Sequence, residues 1–552
     1  MRNLLTISTG LVLLAGAAAC ETGPGVAKEP PVLRVTSPAR SLLQDHAGQV
    51  VVSGTVEPNA KGDPVEKVLV NNVQATLLAD GTFHAAIDVG EGATLINTVA
   101  TDSNGTTASD TRAVQAGQLR AVGTNIPGAI TASMSADSFA KISAAAGPII
   151  KGLNLGALLA PMQPMIHVGD PNGEDGAFAR AFVDDIKFSD IKIAMAPVQG
   201  GLSFSAEIDQ LDVPGHARWA LLYIPGSATF RITADKIVVA GTLNVTPNGV
   251  AGFTTKLTSP NVSVTNFHLD TSIALPIDPL IDELGLKTTA IDFIVSKSAE
   301  LAMNPLMNRA LGALGGPQKL DVLGKQLELQ VAPSAISFDP TGALLAMNMK
   351  TLLGGSESSP GFIYTDNGAP SMDPGHGFQI GLADDLANEM LAEATAVGML
   401  DLTMPQAGGS FDAAQIHMTL PPMISADAAD GQLRVMLGDM VATYTNHGTP
   451  VAKAAISAKI DLKIAPLTNG TSVAVQLGTP EIHVDTLDDI ANTTGLGDSS
   501  LSNATTAVLG GQIDAISKLL VAIPIPSVAG LQIRDLSLGS DDGYVMVKGT
   551  FQ

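Results

Sequence analysis

Residues 186–208 read IKFSDIKIAMAPVQGGLSFSAEI, and this stretch shows how most of the chain is built. Apolar side chains alternate with polar ones over its second half, at Leu202, Phe204, Ala206 and Ile208. Such a period of two is typical of a β-strand that buries one face. The phase shifts between Phe188 and Ile191, which predicts a β-bulge near Ser189–Asp190. Similar alternation recurs at 456–464 and 473–477.

Four other segments carry apolar residues at helical spacing: 133–158, 296–314, 382–400 and 499–521. Gly147-Pro148 is expected to kink the first of them. The order helix, strands, helix occurs twice, over roughly 119–320 and 336–552. These patterns predict a mostly β fold with long helices (α+β), in which each half is a curved antiparallel sheet wrapped round amphipathic helices.

The chain before these two halves has a different pattern. Over 32–117, short alternating strands are separated by turns at Asn71-Asn72, Asp80-Gly81 and Asn104-Gly105, which predicts a small antiparallel sandwich. The stretches SGTVEPN and DGTFHAAIDVGEGATLINTVATDSNG resemble a bacterial Ig-like domain, and the resemblance implies a spacer or adhesive unit. We favour a passive stalk. Asp102 and Asn104 offer oxygen ligands for calcium, but a plain turn explains them better.

The first twenty residues, MRNLLTISTGLVLLAGAAAC, predict the compartment. Arg2 precedes an apolar run, and small residues precede Cys20, which is the only cysteine of the chain. This pattern resembles a bacterial lipoprotein signal, which implies that Cys20 carries a diacylglyceryl anchor. A plain secretory signal with a free Cys20 thiol is the alternative. The segment is too short for a membrane-spanning helix with a stop-transfer flank.

The predicted organisation has five parts. They are a lipoprotein signal peptide (1–19), a Pro/Gly linker (20–31), an Ig-like domain (32–117), an N-terminal barrel (119–325) and a C-terminal barrel (336–552).

Composition excludes several functions. The 552 residues carry a formal net charge of −23 at pH 7, so no basic surplus exists to bind nucleic acid or an anionic membrane surface. A single cysteine allows no intramolecular disulfide and no cysteine-based zinc site. One tryptophan and four tyrosines offer few rings for stacking on sugars.

Three stretches carry a family resemblance over about residues 119–552. GFQIGLADDLANEMLAEATAVGMLDLTM (377–404), the terminal IPIPSVAGLQIRDLSLGSDDGYVMVKGTF, and the opening stretch quoted above are similar to the bactericidal/permeability-increasing protein family. The resemblance implies two barrels, each with a slit between helix and sheet that takes lipid acyl chains. The disulfide of that family cannot form here. The basic tip with which some members grip lipopolysaccharide has no evident counterpart.

The helical stripes supply the candidate residues for an apolar cavity. Core packing and lipid contact are equally compatible with them. The candidates are Phe139, Ile142, Ile149, Leu153, Met303, Met307, Leu311, Leu382, Leu386, Met390, Leu509, Ile513, Ile516 and Leu520.

No catalytic or cofactor motif is present: the sequence has no Gly-x-Ser-x-Gly elbow, no phosphate-binding loop and no His-Glu-x-x-His. The nine histidines are scattered singly, and no metal site or cofactor is expected. The sequence therefore predicts a lipid-anchored protein of the bacterial cell envelope that binds phospholipid or another apolar ligand without catalysis. The alternative is a non-enzymatic interaction or adhesion scaffold whose barrels are filled by side chains. The sequence does not identify a protein partner.

Overall fold

The computed structural model describes residues 29–152, 160, 163–169, 178–221, 224–248, 253–272, 318–322, 324–365, 368–371, 377–405, 411–429, 432–466, 473–488, 533–541 and 543–551. This part of the chain is mostly β-strand, with two α-helices and a 3-10 turn at Ser356–Ser358. Cys20 and the predicted signal peptide lie outside the described residues.

The first nine strands form two sheets, in the orders β1-β3-β7-β6 and β2-β9-β8-β4-β5. A shared apolar core includes Val52, Val68 and Phe83, each at most 2% exposed. The type of hairpin turn predicted at Asn71-Asn72 is present, since both residues have positive φ (45° and 67°) between paired Val70 and Val73. The strands are β1 (Val32–Ser37), β2 (Leu42–Gln44), β3 (Gly48–Glu57), β4 (Val65–Val70), β5 (Val73–Gln74), β6 (Thr76–Leu77), β7 (Thr82–Val89), β8 (Gly92–Asp102) and β9 (Thr107–Ala116).

The N-terminal sheet is antiparallel and is built on two long strands that pair over most of their length. Its strand order is β12-β13-β15-β16-β17. In addition, β14 pairs with β15, and β18 pairs with β16. The strands are β12 (Ile166–Val168), β13 (Phe178–Val183), β14 (Asp190–Val198), β15 (Gly201–Leu221), β16 (Ile224–Pro247), β17 (Phe253–Thr265) and β18 (His268–Thr271).

A central sheet joins the two halves in the order β19-β20-β21-β11-β23-β32-β31. A short pair, β10-β22, lies beside it. The strands are β10 (Gln118–Arg120), β11 (Ile126–Ser135), β19 (Gln318–Val322), β20 (Lys325–Asp339), β21 (Gly342–Leu353), β22 (Phe362–Tyr364), β23 (Phe378–Ala383), β31 (Ile533–Asp541) and β32 (Tyr544–Phe551).

The C-terminal sheet repeats the arrangement of the N-terminal one. Its strand order is β24-β25-β27-β28-β29. In addition, β26 pairs with β27, and β30 pairs with β28. The strands are β24 (Leu402–Pro405), β25 (Ala413–His417), β26 (Met423–Ala429), β27 (Gln432–Asn446), β28 (Thr449–Pro466), β29 (Val473–Leu477) and β30 (Glu481–Asp488).

The prediction of long helices wrapped by sheets is wrong for the part of the chain that the structure describes. Helix α1 (Ala136–Lys151) has 16 residues and α2 (Asp384–Ala396) has 13. Helix α2 begins at Asp384 and not at Leu382 as predicted, because Leu382 belongs to β23, which pairs with a strand on each side. It ends before Gly398, whose φ is 69°. The predicted helices at 296–314 and 499–521 lie outside the described residues.

Helix α1 covers the free edge of β14. The Ser143 hydroxyl accepts a hydrogen bond from the backbone N–H of Met195 at 3.0 Å. A Cβ on Gly147 would lie 2.5 Å from the carbonyl oxygen of Ile191, so only glycine permits this close approach. The helix continues through Gly147 and Pro148, where the sequence predicted a kink.

Helix α2 covers the edge of β26 in the same way. The Asn388 amide donates to the carbonyl of Ile424 at 3.0 Å and accepts from its N–H at 2.7 Å. The Asp384 carboxylate accepts from the N–H of Ala426 at 2.9 Å. Polar side chains of each helix therefore take the place of a neighbouring strand, which blocks further pairing at that edge.

The Ig-like domain is docked on the C-terminal sheet. The Asp439 carboxylate, 1% exposed, accepts from the Arg40 guanidinium at 2.9 Å and from the backbone N–H groups of Ser41 and Ala113 at 2.7 and 2.9 Å. Arg40 also pairs with Asp110 and with Asp485. The expected passive stalk is therefore in polar contact with the body of the protein.

Candidate ligand-binding site

In four segments of the N-terminal sheet, the alternation of inward-facing and outward-facing side chains changes phase. These four changes lie side by side along one line across the sheet. Gln210 and Asn266, both with φ of 53°, lie on this line, and their side-chain amides donate to the Asp235 carboxylate at 3.4 and 2.6 Å. The change of phase predicted between Phe188 and Ile191 is its first member, but the pairs Lys187–Asp212 and Asp190–Asp209 share one register, so no residue is inserted there and the predicted β-bulge is not found. We call the line on which these phases change the bend. The inward-facing pairs that flank the line are Phe188/Ile191, Ile208/Leu211, Ala234/Ile237 and Val264/Phe267.

An apolar wall occupies the inner face around this bend, and the residues that the structure describes cover it only in part. Helix α1 packs on β14 at one end, where Ile193, Phe204 and Val239 are buried. The side chains that we call the half-buried wall are Val183, Ile186, Phe188, Phe230, Leu257, Val262, Val264, Phe267 and Leu269.

The C-terminal sheet differs, because its inner face is filled. Leu437, Met440, Ala442 and Tyr444 of β27 are all 0% exposed, and Ile456 and Ala458 of β28 are 0% exposed as well. Side chains of α2 and of the central sheet complete this core. The two halves therefore share a topology but not a degree of filling.

The structure places the predicted cavity residues in several environments. Phe139 is buried with its ring centroid 6.3 Å from that of Phe338, and Ile142 is partly buried in the same core. Leu386 and Met390 are 0% and 2% exposed within the filled C-terminal core. Leu382 lies on β23, not on a helix. Outside the described part are the side chain of Ile149 and the residues Leu153, Met303, Met307, Leu311, Leu509, Ile513, Ile516 and Leu520.

Helix α2 buries three carboxyl groups one turn apart, and their pKa values are raised mainly by that burial. Asp385 is shifted to about 7, and its carboxylate accepts from the N–H of Thr365 at 2.9 Å. Glu389 is shifted to about 7. Glu393 is shifted to about 8, since the Glu389 charge adds to the effect of burial. The sequence analysis missed this burial, because acidic residues on a helix ordinarily face water.

Basic and aromatic residues meet at the far end of the N-terminal sheet. His167, Arg180 and Arg218 are direct cross-strand partners on β12, β13 and β15. The ring of Phe182 stacks on that of His216 at 4.8 Å. This group faces away from the half-buried wall. Three separate segments contribute to it, so only the strand register reveals a basic cluster that the sequence analysis missed.

A cleft of about 910 Å³ separates the Ig-like domain from the C-terminal sheet. Asn72 and Leu95 line one side, and Met423, Arg434 and Lys459 line the other. Both cations are already paired, Arg434 with Asp461 at 2.7 Å and Lys459 with Glu481 at 2.5 Å. The cleft is therefore mixed in polarity, with its basic groups engaged by the protein itself.

The described residues contain no group of three or more His, Cys, Asp or Glu side chains placed to hold a metal ion. None of their helices combines the length and the apolarity needed to cross a membrane.

Comparison with known proteins identifies one domain and a set of distant structures. Residues 31–118 match the family described as glucodextranase, domain B, and this range coincides with the Ig-like sandwich. No curated protein matches the chain.

Three solved structures are similar to most of the chain. The structure of lipopolysaccharide binding protein is 10% identical, with a TM-score of 0.34, covering 77% of this chain and 99% of its own. P47 of Clostridium botulinum E1 is 8% identical, with a TM-score of 0.28, covering 78% and 100%. P47 from Clostridium botulinum A2 is 8% identical, with a TM-score of 0.26, covering 76% and 96%.

Proposed function

We propose that this protein binds an acyl chain or a similar apolar ligand on the half-buried wall of its N-terminal sheet, without catalysis. The observation that carries the proposal is the contrast between the two halves. The inner face of the C-terminal sheet is filled by side chains, whereas the described residues cover the wall around the bend of the N-terminal sheet only in part.

Simple energetics support this proposal. Moving an acyl chain of about sixteen carbons out of water contributes about 12 kcal/mol at ~0.8 kcal/mol per methylene, before the cost of ordering the chain. The side chains that make up the half-buried wall are three phenylalanines and six aliphatic residues. An apolar chain is the ligand class that such a surface fits.

The setting of this function comes from the sequence. In this proposal the protein is attached to the bacterial cell envelope by a diacylglyceryl group on Cys20, and that attachment stays a prediction. A scaffold role for the C-terminal half is the second candidate, favoured by its filled core and by the Ig-like domain docked on its outer surface.

Native mass spectrometry of the chain lacking residues 1–20 tests the proposal. We expect about one lipid per chain, and Val264→Asp should abolish uptake of a fluorescent fatty acid because a carboxylate on the wall is costly to desolvate. Ser263→Asp is the matched control, since Ser263 is exposed on the opposite face of the same strand. Equal uptake by both variants, or none by the parent protein, would favour the scaffold.

A further inference from the structure

The cleft between the Ig-like domain and the C-terminal sheet is separate from the half-buried wall, because that wall lies on the N-terminal sheet. Its volume of about 910 Å³ is in the range of small-molecule sites. The two sides of the cleft come into contact at Gly92, where a Cβ would lie 3.6 Å from Cε of Met423. The cleft is therefore large enough, and narrow enough at that point, to enclose a small ligand.

The floor of the cleft is one face of the C-terminal sheet. Met423, Met436, Lys459 and Glu481 are cross-strand neighbours that form one row over β26, β27, β28 and β30. Met436 faces the cleft because the next residue toward the N-terminus, Val435, is buried in the core on the opposite face. The row is apolar at its methionine end and ionic at its other end.

The charged side chains of the floor form two balanced pairs. Lys459 Nζ lies 2.5 Å from one carboxylate oxygen of Glu481, and His483 Nε2 lies 3.2 Å from the other. The Arg434 guanidinium donates two hydrogen bonds to Asp461, at 2.7 and 3.2 Å. Hydrogen bonds from Lys459 and Arg434 hold the pKa values of Glu481 and Asp461 below their usual range. Both pairs are thus ionised at neutral pH, and each offers donors and acceptors without net charge.

The opposite side of the cleft comes from β8 of the Ig-like domain. Leu95, Asn97 and Val99 line it, since Ile96 and Thr98 between them are buried in the sandwich. This side presents an amide between two apolar side chains. Its other polar lining residues are Asn71, Asn72, Glu91 and Thr94.

The strands that line the cleft do not offer a free edge to an extended peptide. Strands β8, β27 and β28 are each hydrogen-bonded to a neighbour on both sides. Side chains are therefore the groups through which these strands can bind a ligand, which favours a ligand with its own hydroxyl groups over a peptide backbone.

We propose that this cleft binds a short, uncharged oligosaccharide. A sugar hydroxyl both donates and accepts, so it can bond to both members of an ion pair without separating them, and hydrogen bonds to charged groups are about twice as strong as neutral ones. The lining residues that the structure describes include no Phe, Tyr or Trp, so Met423, Met436 and Leu95 supply the apolar contacts with the sugar rings. An acidic sugar fits less well, because it meets Glu91 and Glu481 while both cations of the floor are already paired.

A glycan array probed with the whole chain tests the site. We expect retention of neutral oligosaccharides and weaker retention of sulfated or sialylated ones. Calorimetric titration with a retained sugar then measures Lys459→Met, which removes the ammonium and keeps an apolar side chain, and we expect at least a tenfold loss of affinity. The matched control is Lys453→Met, an exposed lysine of the same strand that does not line the cleft, which should bind as the parent does.

Asn97→Ala is the second variant, and it changes the opposite side of the cleft. We expect weaker binding here as well, because the two domains bind the sugar together, and this variant leaves the C-terminal sheet untouched if Lys459→Met fails to fold. The proposal is overturned if the array retains no neutral oligosaccharide, or if neither substitution weakens the binding. Retention of the parent protein by a peptide array alone would also overturn it, in favour of a peptide ligand.

Discussion

Asp385 illustrates how a single buried carboxyl group couples this fold to pH. Its side chain lies at the start of α2, 1% exposed, and accepts from both the N–H and the hydroxyl of Thr365. Those two bonds favour the ionised form, but the loss of water outweighs them and raises the pKa to about 7. The folded chain therefore holds a proton on Asp385 at a pH where the unfolded chain has released it.

Asp385→Asn should flatten the pH dependence of stability. A raised carboxyl pKa gives a contribution that is complete below pH 4 and is lost as pH rises through about 7. The shift corresponds to a loss of up to about 4 kcal/mol at 1.36 kcal/mol per unit. Urea unfolding between pH 4 and 8 measures it, because asparagine cannot titrate yet still accepts from Thr365.

Asp339→Asn is the control, with the opposite sign. The hydroxyl and the N–H of Thr341 hold the pKa of Asp339 below its usual value, so its contribution is lost as pH falls. Unchanged pH profiles in Asp385→Asn would show that Asp385 is ionised in the folded protein.

At the scale of residues, the burial of the acids on α2 could not be predicted from the sequence. The acids of α2 contact Gly123, Thr351 and Thr365, which come from three distant segments. A helical pattern read from one sequence assigns polar residues to water, and long-range contacts of this kind leave no local signal.

Among the elements, the two helices share a role as edge covers. Asn388 bonds both backbone groups of Ile424, and Ser143 bonds the N–H of Met195. In each half, one polar helix side chain thus satisfies backbone groups at the edge of a strand. Such an edge would otherwise be open to pairing with another chain.

Asn388→Ala should destabilise the protein by about 1–3 kcal/mol, because it leaves the buried N–H and C=O of Ile424 without partners. Urea unfolding measures the loss. Thr395→Ala is the comparison, since the Thr395 hydroxyl donates to the carbonyl of Leu391 within the helix, and we expect a smaller loss there. Equal losses in the two variants would contradict the edge-cover interpretation.

Strands were more predictable than helices in this chain. The period of two and the turn residues predicted the hairpin at Asn71-Asn72 and the change of phase between Phe188 and Ile191, because both signals are local. Helix length was overestimated at 382–400. The first residues of that segment belong to a strand that pairs on both sides, and strand pairing is decided by distant residues. The half-buried wall needs the same long-range register, so the sequence could not assign it.

At the scale of the whole molecule, the Ig-like domain is part of a larger assembly within the chain. In its contact with the C-terminal sheet, Arg40 pairs with Asp439 and Asp485 of that sheet and also with Asp110 of its own domain. A Cβ on Gly438 would lie 2.4 Å from the Cβ of Ala113, so the two surfaces also meet closely. Arg40 is the central charge of this contact.

Arg40→Ala should separate the Ig-like domain from the body. Without the guanidinium, Asp439 and Asp485 remain buried with no cation from this contact, and breaking such a pair typically costs about 3–5 kcal/mol. Because undocking returns both carboxylates to water, it relieves this cost more readily than unfolding does. We expect calorimetry to resolve two unfolding transitions for this variant and fewer for the parent protein. Fatty-acid uptake should persist, since the half-buried wall lies in the other half of the chain.

The control is Arg34→Ala. Arg34 is an exposed arginine of the same domain, and its substitution should leave the unfolding profile of the parent protein unchanged. If Arg40→Ala also leaves it unchanged, the contact contributes little, and the domain behaves as the passive stalk that its sequence predicted.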